Sequence, residues 1–443
     1  MIQQILFVLL AGVAIYFFTK KVMSICRNIL LGKDEPLNDQ PKLRWRNMFI
    51  FALGQKKMFN NPLVAVLHLF VYVGFVIINI EILEIFLDGI LGTHRLFAPI
   101  LGFTLYSILI SCFEILAVLV IIGCVIFLIR RNITKVNRFT KPELKGFPFR
   151  DANYILITEI VLMTLFLIMN ICDSSNFTND TIYEHFHSSH KIFFGIFSSP
   201  ISILFKLDST NNITLEIIER TCWWLHIAGI FAFLNYLPYS KHLHIILAFP
   251  NSFFARLNVI GQMENMPLIQ KEVVLSFQPE RAAEFPGDDA PMKFGAKDVK
   301  DLSWKSLMDA YSCSECGRCT AACPANQTGK KLSPRKIMMD TRDRLEEVGN
   351  NIDKHGMDFT DNKTLLGDYV SVEELRACTT CNACVEQCPI LISPLNIILE
   401  LRRSLVMEDS NVPNEWAMMF GNMENNQAPW KFSNEDRANW IKE

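Results

Sequence analysis

The hydrophobic pattern divides the chain near residue 250. Five long apolar stretches come first, at about residues 2–19, 63–88, 99–129, 152–172 and 221–248. Each is long enough to cross a bilayer as a helix, which takes about 20 residues. The pattern predicts a transmembrane domain at 1–250 and a Pro- and Gly-marked linker at 251–300. We expect the first stretch to be a retained helix, because no positive charge precedes it and no cleavage site precedes Lys20.

The distribution of positive residues predicts an orientation. Nine Lys and Arg residues lie between residues 20 and 61 and seven between 130 and 151, whereas the other two connections hold far fewer, including Arg95, Lys191 and Lys206. Positive residues stay on the cytoplasmic side. We therefore expect a multi-pass protein of the inner (cytoplasmic) membrane, with its N-terminus outside and the residues after the fifth helix in the cytoplasm. The run 192–205 is short and favours an interfacial or re-entrant helix; a sixth crossing would reverse this orientation.

Histidines within the apolar stretches are candidate heme ligands. His226 and His244 are 18 residues apart, so on one helix they share a face and lie about 27 Å apart. His68 lies early in the second span, at a depth similar to that of His244, and these two could hold one heme iron. His242 would point away from His244. The alternative is that such histidines bond to a neighbouring helix or carry a proton.

Other polar residues of the spans and outer loops point less clearly to chemistry. Four acidic residues within the spans are costly in lipid and are candidate proton relays to a quinone, unless they lie at the interface: Glu81, Glu84, Glu114 and Glu159. Solvated surface is the default for the outer-loop histidines His94, His185, His187 and His190. The net charge of −2 gives no reason to expect a nucleic-acid partner.

Two cysteine runs dominate the polar part of the chain. They are Cys313, Cys316, Cys319 and Cys323, then Cys378, Cys381, Cys384 and Cys388, each with C-x2-C-x2-C-x3-C-P spacing. This spacing is typical of [4Fe–4S] clusters, and in two-cluster proteins the fourth cysteine reaches the other cluster. The crossover predicts two clusters, one held by Cys313, Cys316, Cys319 and Cys388 and one by the other four. Structural zinc is the alternative, but zinc sites use paired motifs rather than two runs of four.

Helix signals surround the cysteine runs. Ser333-Pro334 and Ser393-Pro394 match an N-cap followed by a first helical position. Ser371-x-x-Glu374 matches a capping box before Cys378. A mostly helical domain at 301–443 follows.

Two parts of the chain resemble known families. Residues 313–335 and 378–389 resemble the ferredoxin domain of heterodisulfide-reductase-like proteins, in particular the membrane-bound electron transfer flavoprotein:menaquinone oxidoreductases. Residues 223–244, which begin Trp-Trp-Leu-His and end His-Leu-His, resemble the heme-bearing helix of the cytochrome b subunit of respiratory nitrate reductase. The resemblance implies an all-α fold: a five-helix transmembrane bundle like that cytochrome b subunit, followed by an α-helical ferredoxin domain.

The resemblance also implies cofactors. His68 and His244 match the axial ligands of the heme b nearer the cytoplasm, and His226 matches a ligand of an outer heme. Ile78 stands where the partner of His226 would be, so one heme is expected, unless His94 or an outer-loop histidine such as His190 replaces it.

The implied function is electron transfer by a quinone-linked, iron–sulfur oxidoreductase subunit. Electrons would pass from a cytoplasmic donor such as electron transfer flavoprotein, through two [4Fe–4S] clusters and heme b, to a membrane quinone. Relatives continue into a Cys-Cys-Gly domain holding a further cluster, and we expect that domain to be a partner polypeptide. Alternatives are a subunit of a heterodisulfide reductase-like or lactate/glycerol-3-phosphate-type oxidoreductase, and a redox sensor.

Overall fold

A computed structural model describes residues 1–177, 195–205, 207, 212–259, 261–263, 265–284 and 293–442. Within these residues the chain is helical, and the only β pairing is two isolated bridges, Lys33–Ser303 and Leu366–Val370. His185, His187, His190, Lys191 and Lys206 lie outside the described residues. The prediction of an all-α chain is therefore confirmed for the part that the structure describes.

Five long helices form the first half. They are α1 (Ile2–Ile29), α2 (Pro62–Leu91), α3 (Phe103–Asn132), α4 (Phe147–Phe177) and α5 (Asn212–Tyr236). All five contain windows long and apolar enough to cross a membrane. The start and end of α2 follow from its sequence: the side chain of Asn61 accepts a bond from Val64 N, Pro62 is the first helical residue, and Gly92 ends the helix at φ +75°.

The bundle packs aromatic and aliphatic side chains inward. Phe7, Tyr106, Phe113, Phe166 and Ile227 are almost completely buried in one core. Many other apolar side chains of the same helices point outward and stay exposed, as on most of α1. A surface of that kind suits lipid, and the backbone polar groups are satisfied within each helix.

Short helical segments connect the long helices. Between α1 and α2 they are Pro41–Asn47, Met48–Leu53 and Lys56–Asn60; elsewhere they are Phe97–Leu101, Asn137–Phe139, Pro142–Leu144 and Ser198–Leu204. The segment Ser198–Leu204 lies in the apolar run that predicts an interfacial helix, and its seven residues are too few to span a bilayer.

The fifth span ends earlier than the hydrophobic pattern predicts. After Tyr236 the chain makes two 3-10 turns, Leu237–Tyr239 and Lys241–Leu243, before α6 (His244–Phe253) begins. Pro238 has no N–H to continue the helix, and Ser240 Oγ accepts a bond from His242 N that starts a new turn (2.9 Å). The expectation that His226 and His244 share one helical face is therefore wrong. The imidazoles of His242 and His244 also lie together, with ring centroids 5.7 Å apart.

The second half is built from short helices around the cysteine runs. After α6 come α7 (Pro267–Phe277), α8 (Trp304–Ser312), α9 (Pro334–His355), α10 (Pro394–Arg403) and α11 (Asn414–Asn426). Shorter segments are Pro279–Glu284, Val299–Asp301, Arg318–Ala322, Pro324–Gln327, Leu365–Tyr369, Val372–Ala377, Ala383–Gln387, Ser404–Glu408 and Asn434–Ile441. The predicted caps are confirmed: Ser333, Ser371 and Ser393 each accept a bond from the backbone N–H three residues later.

The two halves share one core at one end of the bundle. Ile25 and Ile29 of α1 and Leu243 pack in the same buried cluster as Leu307 and Ile337 of the second half. Ala296 and Val299, from the segment that the sequence assigns to a linker, are also fully buried in it. The cysteine-bearing half is therefore packed directly onto the membrane helices.

Polar contacts reinforce this junction. Lys21 Nζ lies 2.6 Å from a carboxylate oxygen of Glu346, and Asn28 Nδ2 donates to Tyr311 Oη (3.0 Å). The buried guanidinium of Arg335 donates to Glu143 Oε1 (2.7 Å), between α3 and α4. These contacts all involve residues of the segments 20–61 and 130–151, which carry most of the Lys and Arg residues of the first half.

Candidate functional site

Two neighbouring cavities in the second half are lined by the eight predicted cysteines. The first, with about 380 Å³ of empty volume, is lined by Cys313, Cys316, Cys319 and Cys388. The second, with about 330 Å³, is lined by Cys323, Cys378, Cys381 and Cys384. Each cavity takes three cysteines from one run and the fourth from the other, which is the grouping that the crossover predicts. The Cys319 thiol also lies within electrostatic range of Cys384, so the two cavities are adjacent.

Local backbone geometry explains how each run presents three thiols. In the first run Gly317 adopts φ +71° and starts the short helix Arg318–Ala322, while Asn382 adopts φ +60° at the same position of the second run. Glycine and asparagine are the residues that tolerate this left-handed conformation best. The turn lets the cysteines before and after it converge on one cavity.

The surroundings of the thiols fit an iron–sulfur cluster. Backbone N–H groups point at sulfur: Thr380 N lies 3.4 Å from Cys378 Sγ and Ile392 N lies 3.3 Å from Cys388 Sγ. Such N–H···S bonds tune cluster potentials. Arg138 lies within electrostatic range of the Cys316 thiol. Four sulfur donors per cavity, with N–H groups and cations around them, suit an anionic cluster better than zinc.

Burial also sets the protonation of the free thiols. It raises the pKa of the Cys313, Cys384 and Cys388 thiols to about 12. Free thiols with such a pKa stay protonated at neutral pH, whereas a bound metal ion deprotonates them outright. Ligation would therefore release protons from these cavities.

The histidines His68, His242 and His244 lie together near the first cavity, since His68 is within electrostatic range of Arg318, which lines that cavity. His68 Nδ1 is 3.1 Å from Gln55 Oε1, and His244 Nδ1 is 2.8 Å from the carbonyl oxygen of Lys241. Bonds of this kind fix the ring and leave Nε2 for a metal. His68 lies within electrostatic range of both other imidazoles. This set fits an axial heme pair drawn from His68 and His244, with His242 beside it.

His226 lies apart from these three, deep in the bundle. Its Nδ1 bonds the carbonyl oxygen of Leu162 (3.0 Å), and its buried Nε2 has no hydrogen-bond partner among the described residues. An orphaned nitrogen fits a ligand. Ile78, which stands where the resemblance implies a partner ligand for His226, is buried.

An ion pair connects the histidine set to the first cavity. Lys241, whose carbonyl holds His244, pairs through Nζ with Glu315, which lies between Cys313 and Cys316. Glu315 also accepts a bond from Arg342 (2.8 Å). Burial alone would raise the pKa of the Glu315 carboxyl, but Lys241 and Arg342 outweigh it and lower that pKa. The sequence pattern missed this contact, because Lys241 and Glu315 are 74 residues apart.

A comparison with protein families agrees with the cysteine geometry. Residues 312–392 match the family described as a 4Fe-4S dicluster domain. No solved structure matches the chain significantly.

Curated relatives extend the similarity over the chain. A probable iron-sulfur-binding oxidoreductase, FadF, from Bacillus subtilis is 27% identical over 99% of this chain and 60% of its own length. The EtfAB:quinone oxidoreductase of Syntrophomonas wolfei is 28% identical over 94% of this chain and 56% of its own length. One subunit of the ferredoxin:CoB-CoM heterodisulfide reductase of Methanosarcina mazei is 35% identical over 22% of this chain and 48% of its own length.

The chain thus spans less than two thirds of the first two relatives. Five candidate membrane helices precede its cysteine domain. This chain is a homologue of iron–sulfur oxidoreductases, with membrane-type helices joined to a 4Fe-4S domain.

Proposed function

We propose that this chain carries electrons between a soluble flavoprotein and a membrane quinone. The observation that supports this most is the arrangement of two adjacent four-cysteine cavities, the first of which is linked to a histidine set at the end of the membrane bundle by the Lys241–Glu315 ion pair. Relatives named as an EtfAB:quinone oxidoreductase and an iron-sulfur-binding oxidoreductase support the same interpretation. The iron–sulfur clusters and heme b would supply one-electron chemistry when bound.

The residues divide this task between them. The first set of four cysteines, which includes Cys388, would hold one [4Fe–4S] cluster, and the second set, which includes Cys323, would hold the other. His68 and His244 would hold heme b, and His226 is the candidate for a second heme. The core shared by the cysteine domain and the end of the bundle would hold the clusters and the heme between His68 and His244 at fixed separations, which electron transfer between them requires.

Exposure of the cysteines indicates where electrons enter. Cys381, in the second set, is the one exposed cysteine of the eight, although Cys323 and Cys384 of the same set are buried. We infer that a soluble donor approaches at Cys381, while the first cavity connects to the histidines through the Lys241–Glu315 contact. The donor would be a flavoprotein such as electron transfer flavoprotein, through an iron–sulfur partner of the Cys-Cys-Gly type, on the cytoplasmic side of the inner membrane.

A second function uses the same architecture. The similarity to a subunit of a heterodisulfide reductase favours a chain that exchanges electrons between the membrane and a disulfide-reducing partner. Pull-down from native membranes distinguishes the two, since recovery of an electron transfer flavoprotein supports the first and recovery of a disulfide reductase supports the second.

The test of the proposal is cofactor composition and turnover. The full chain, purified anaerobically in detergent, is assayed for iron, labile sulfide and heme b, and for reduction of decylubiquinone by photoreduced flavin mononucleotide. We expect about eight non-heme iron atoms per chain, a reduced heme b absorption band and quinone reduction above the protein-free rate. A chain with bound cofactors but no quinone reduction refutes the quinone-linked function and favours a sensor.

A further inference from the structure

A buried charged network lies at the end of the bundle opposite the cysteine cavities. Its centre is Arg95, which is 3% exposed. Asp173 Oδ2 accepts bonds from Arg95 Nη2 (2.7 Å) and Nε (3.0 Å), and Asn170 Oδ1 accepts another (2.6 Å). The network joins the end of α2, the following connection and the end of α4. Arg95 also lies within electrostatic range of His226, the candidate ligand of a second heme.

One carboxylate of this network has a special environment. Glu81 is fully buried, and neither of its oxygens has a hydrogen-bond partner in the part of the chain that the structure describes. Arg95 Nη1 lies 3.5 Å from its Oε1. The neighbouring Glu84, by contrast, is fully engaged, accepting bonds from Phe97 N (2.8 Å) and Tyr106 Oη (2.9 Å). A buried carboxylate without a hydrogen bond is costly and marks a functional position.

Position along the helix gives the depth of Glu81. It lies ten residues before Leu91, the last residue of α2, which corresponds to about 15 Å along the helix axis. Glu81 therefore sits well inside the bundle, while Arg95 and Asp173 lie nearer its end.

His94 connects this interior to the surface. Its side chain is 34% exposed, and its Nε2 lies 3.2 Å from Asp173 Oδ1. Arg220 Nη2 lies 2.7 Å from His94 Nδ1, and arginine can only donate, so Nε2 carries the hydrogen when the ring is neutral. A nitrogen with that hydrogen cannot ligate a metal, although Glu219 lies close enough to complete a three-residue metal set with His94 and Asp173. The contact suits proton exchange instead.

We propose that His94, Asp173 and Glu81 form a proton path between the bundle interior and the face opposite the cysteine cavities. His94 exchanges protons with solvent and passes them to Asp173. Arg95 keeps its own proton and holds the two carboxylates near each other, so that protons pass between them by side-chain rotation or through water. Glu81 is the inner end of the path.

The path assigns proton uptake by the quinone to the membrane face opposite the cysteine cavities. This inference rests on the proposed quinone function. Reduction of one quinone takes two electrons and two protons and yields one quinol. With flavin mononucleotide as reductant on the cysteine side, reduced flavin releases two protons there and the quinone takes two protons from the opposite side. Each turnover then moves net charge across the membrane.

The experiment measures the side of proton uptake. The full chain is reconstituted into vesicles that contain decylubiquinone and a trapped pH dye. Photoreduced flavin mononucleotide, which is charged and stays outside, reacts only with chains whose cysteine domain faces out. We expect the vesicle lumen to become alkaline during turnover, with two protons lost per quinone reduced. Proton uptake from the outer medium alone, with an unchanged lumen, overturns the path.

Variants test the residues separately from folding. Glu81→Gln should slow quinone reduction by about 10²-fold, the scale of one general acid–base group, and abolish lumen alkalinisation while leaving cofactor reduction unchanged. His94→Gln should slow proton uptake and recover when imidazole is trapped in the lumen. Glu424→Gln removes an exposed carboxylate of α11 and should change nothing. Wild-type rates in Glu81→Gln overturn the proposal, whereas no turnover of the wild-type chain in detergent refutes the quinone function itself.

Discussion

The most discriminating prediction concerns the two left-handed residues that follow the second cysteine of each run. Gly317 and Asn382 have nearly the same backbone conformation, with φ of +71° and +60°. From conformation alone, Gly317→Asn should be tolerated, because asparagine already fills the matching position in the second run. The surroundings differ, however. A Cβ added at Gly317 would lie 2.4 Å from Arg335 Nη1.

The collision is expensive because Arg335 cannot move freely. Its side chain is fully buried and held by bonds to Glu143 Oε1 and to the carbonyl oxygen of Arg138, each 2.7 Å long. Displacing it leaves Glu143 without its cation, and breaking a buried ion pair costs about 3–5 kcal/mol. Even the smallest side chain, in Gly317→Ala, would add about 1–2 kcal/mol of strain in the left-handed backbone conformation. Asn382→Gly loses only one side-chain hydrogen bond, to Thr380 O, worth about 1 kcal/mol.

The assay is iron content and electron spin resonance of the two matched variants. Gly317→Asn should lower non-heme iron from about eight to about four atoms per chain and lower the thermal unfolding temperature in detergent. Asn382→Gly should retain all iron and a nearly wild-type unfolding temperature. Full iron content and unchanged stability in Gly317→Asn would refute the claim that Arg335 is fixed against this turn.

Three further predictions follow from single contacts. Cys388→Ser should remove the cluster held by the first run, although Cys388 belongs to the second run in sequence. The spin-resonance signal lost should be the same one that Gly317→Asn removes. His68→Ala should abolish the heme b absorption band, and His242→Ala should keep it; the reverse result would reassign the ligand. Hydrogen bonding to Arg344 lowers the pKa of Asp361 to about 2, below its unfolded value of about 4, so this pair stabilises the fold above pH 4 and its contribution fades toward pH 2. Arg344→Gln should flatten that part of the pH–unfolding profile, and an unchanged profile would contradict it.

The prediction that three cysteines of each run share a cavity rests on local information, whereas the fourth cysteine of each set comes from the other run. Three thiols in each run are separated by two residues, so one turn delivers them together, and Ser333-Pro334 fixes the following helix by short-range bonds. The five spans are equally local, since each is a continuous apolar stretch. Features of this kind depend little on the rest of the fold.

The remaining features depend on contacts between distant residues or on a break in regular structure. Arg95 and Asp173 are 78 residues apart, and no periodicity links them. The relation between His226 and His244 fails for another reason, because hydropathy continues through Pro238 while the helix does not. The sequence does carry a signal for this break, because Pro238 is followed by the capping residue Ser240. That signal outweighs the continuous hydropathy at this point.

We propose that the clusters held in the two cysteine cavities deliver electrons to heme b and then to a quinone. Stopped-flow spectroscopy of the full chain, reduced anaerobically and mixed with decylubiquinone, examines this transfer step by step. We expect cluster and heme b absorbance to reoxidise together, and we expect Cys381→Ser, which removes a ligand of the second cavity, to prevent reduction of heme b by flavin mononucleotide. Reduction of heme b at the wild-type rate in Cys381→Ser would show that electrons reach the heme without passing through the clusters.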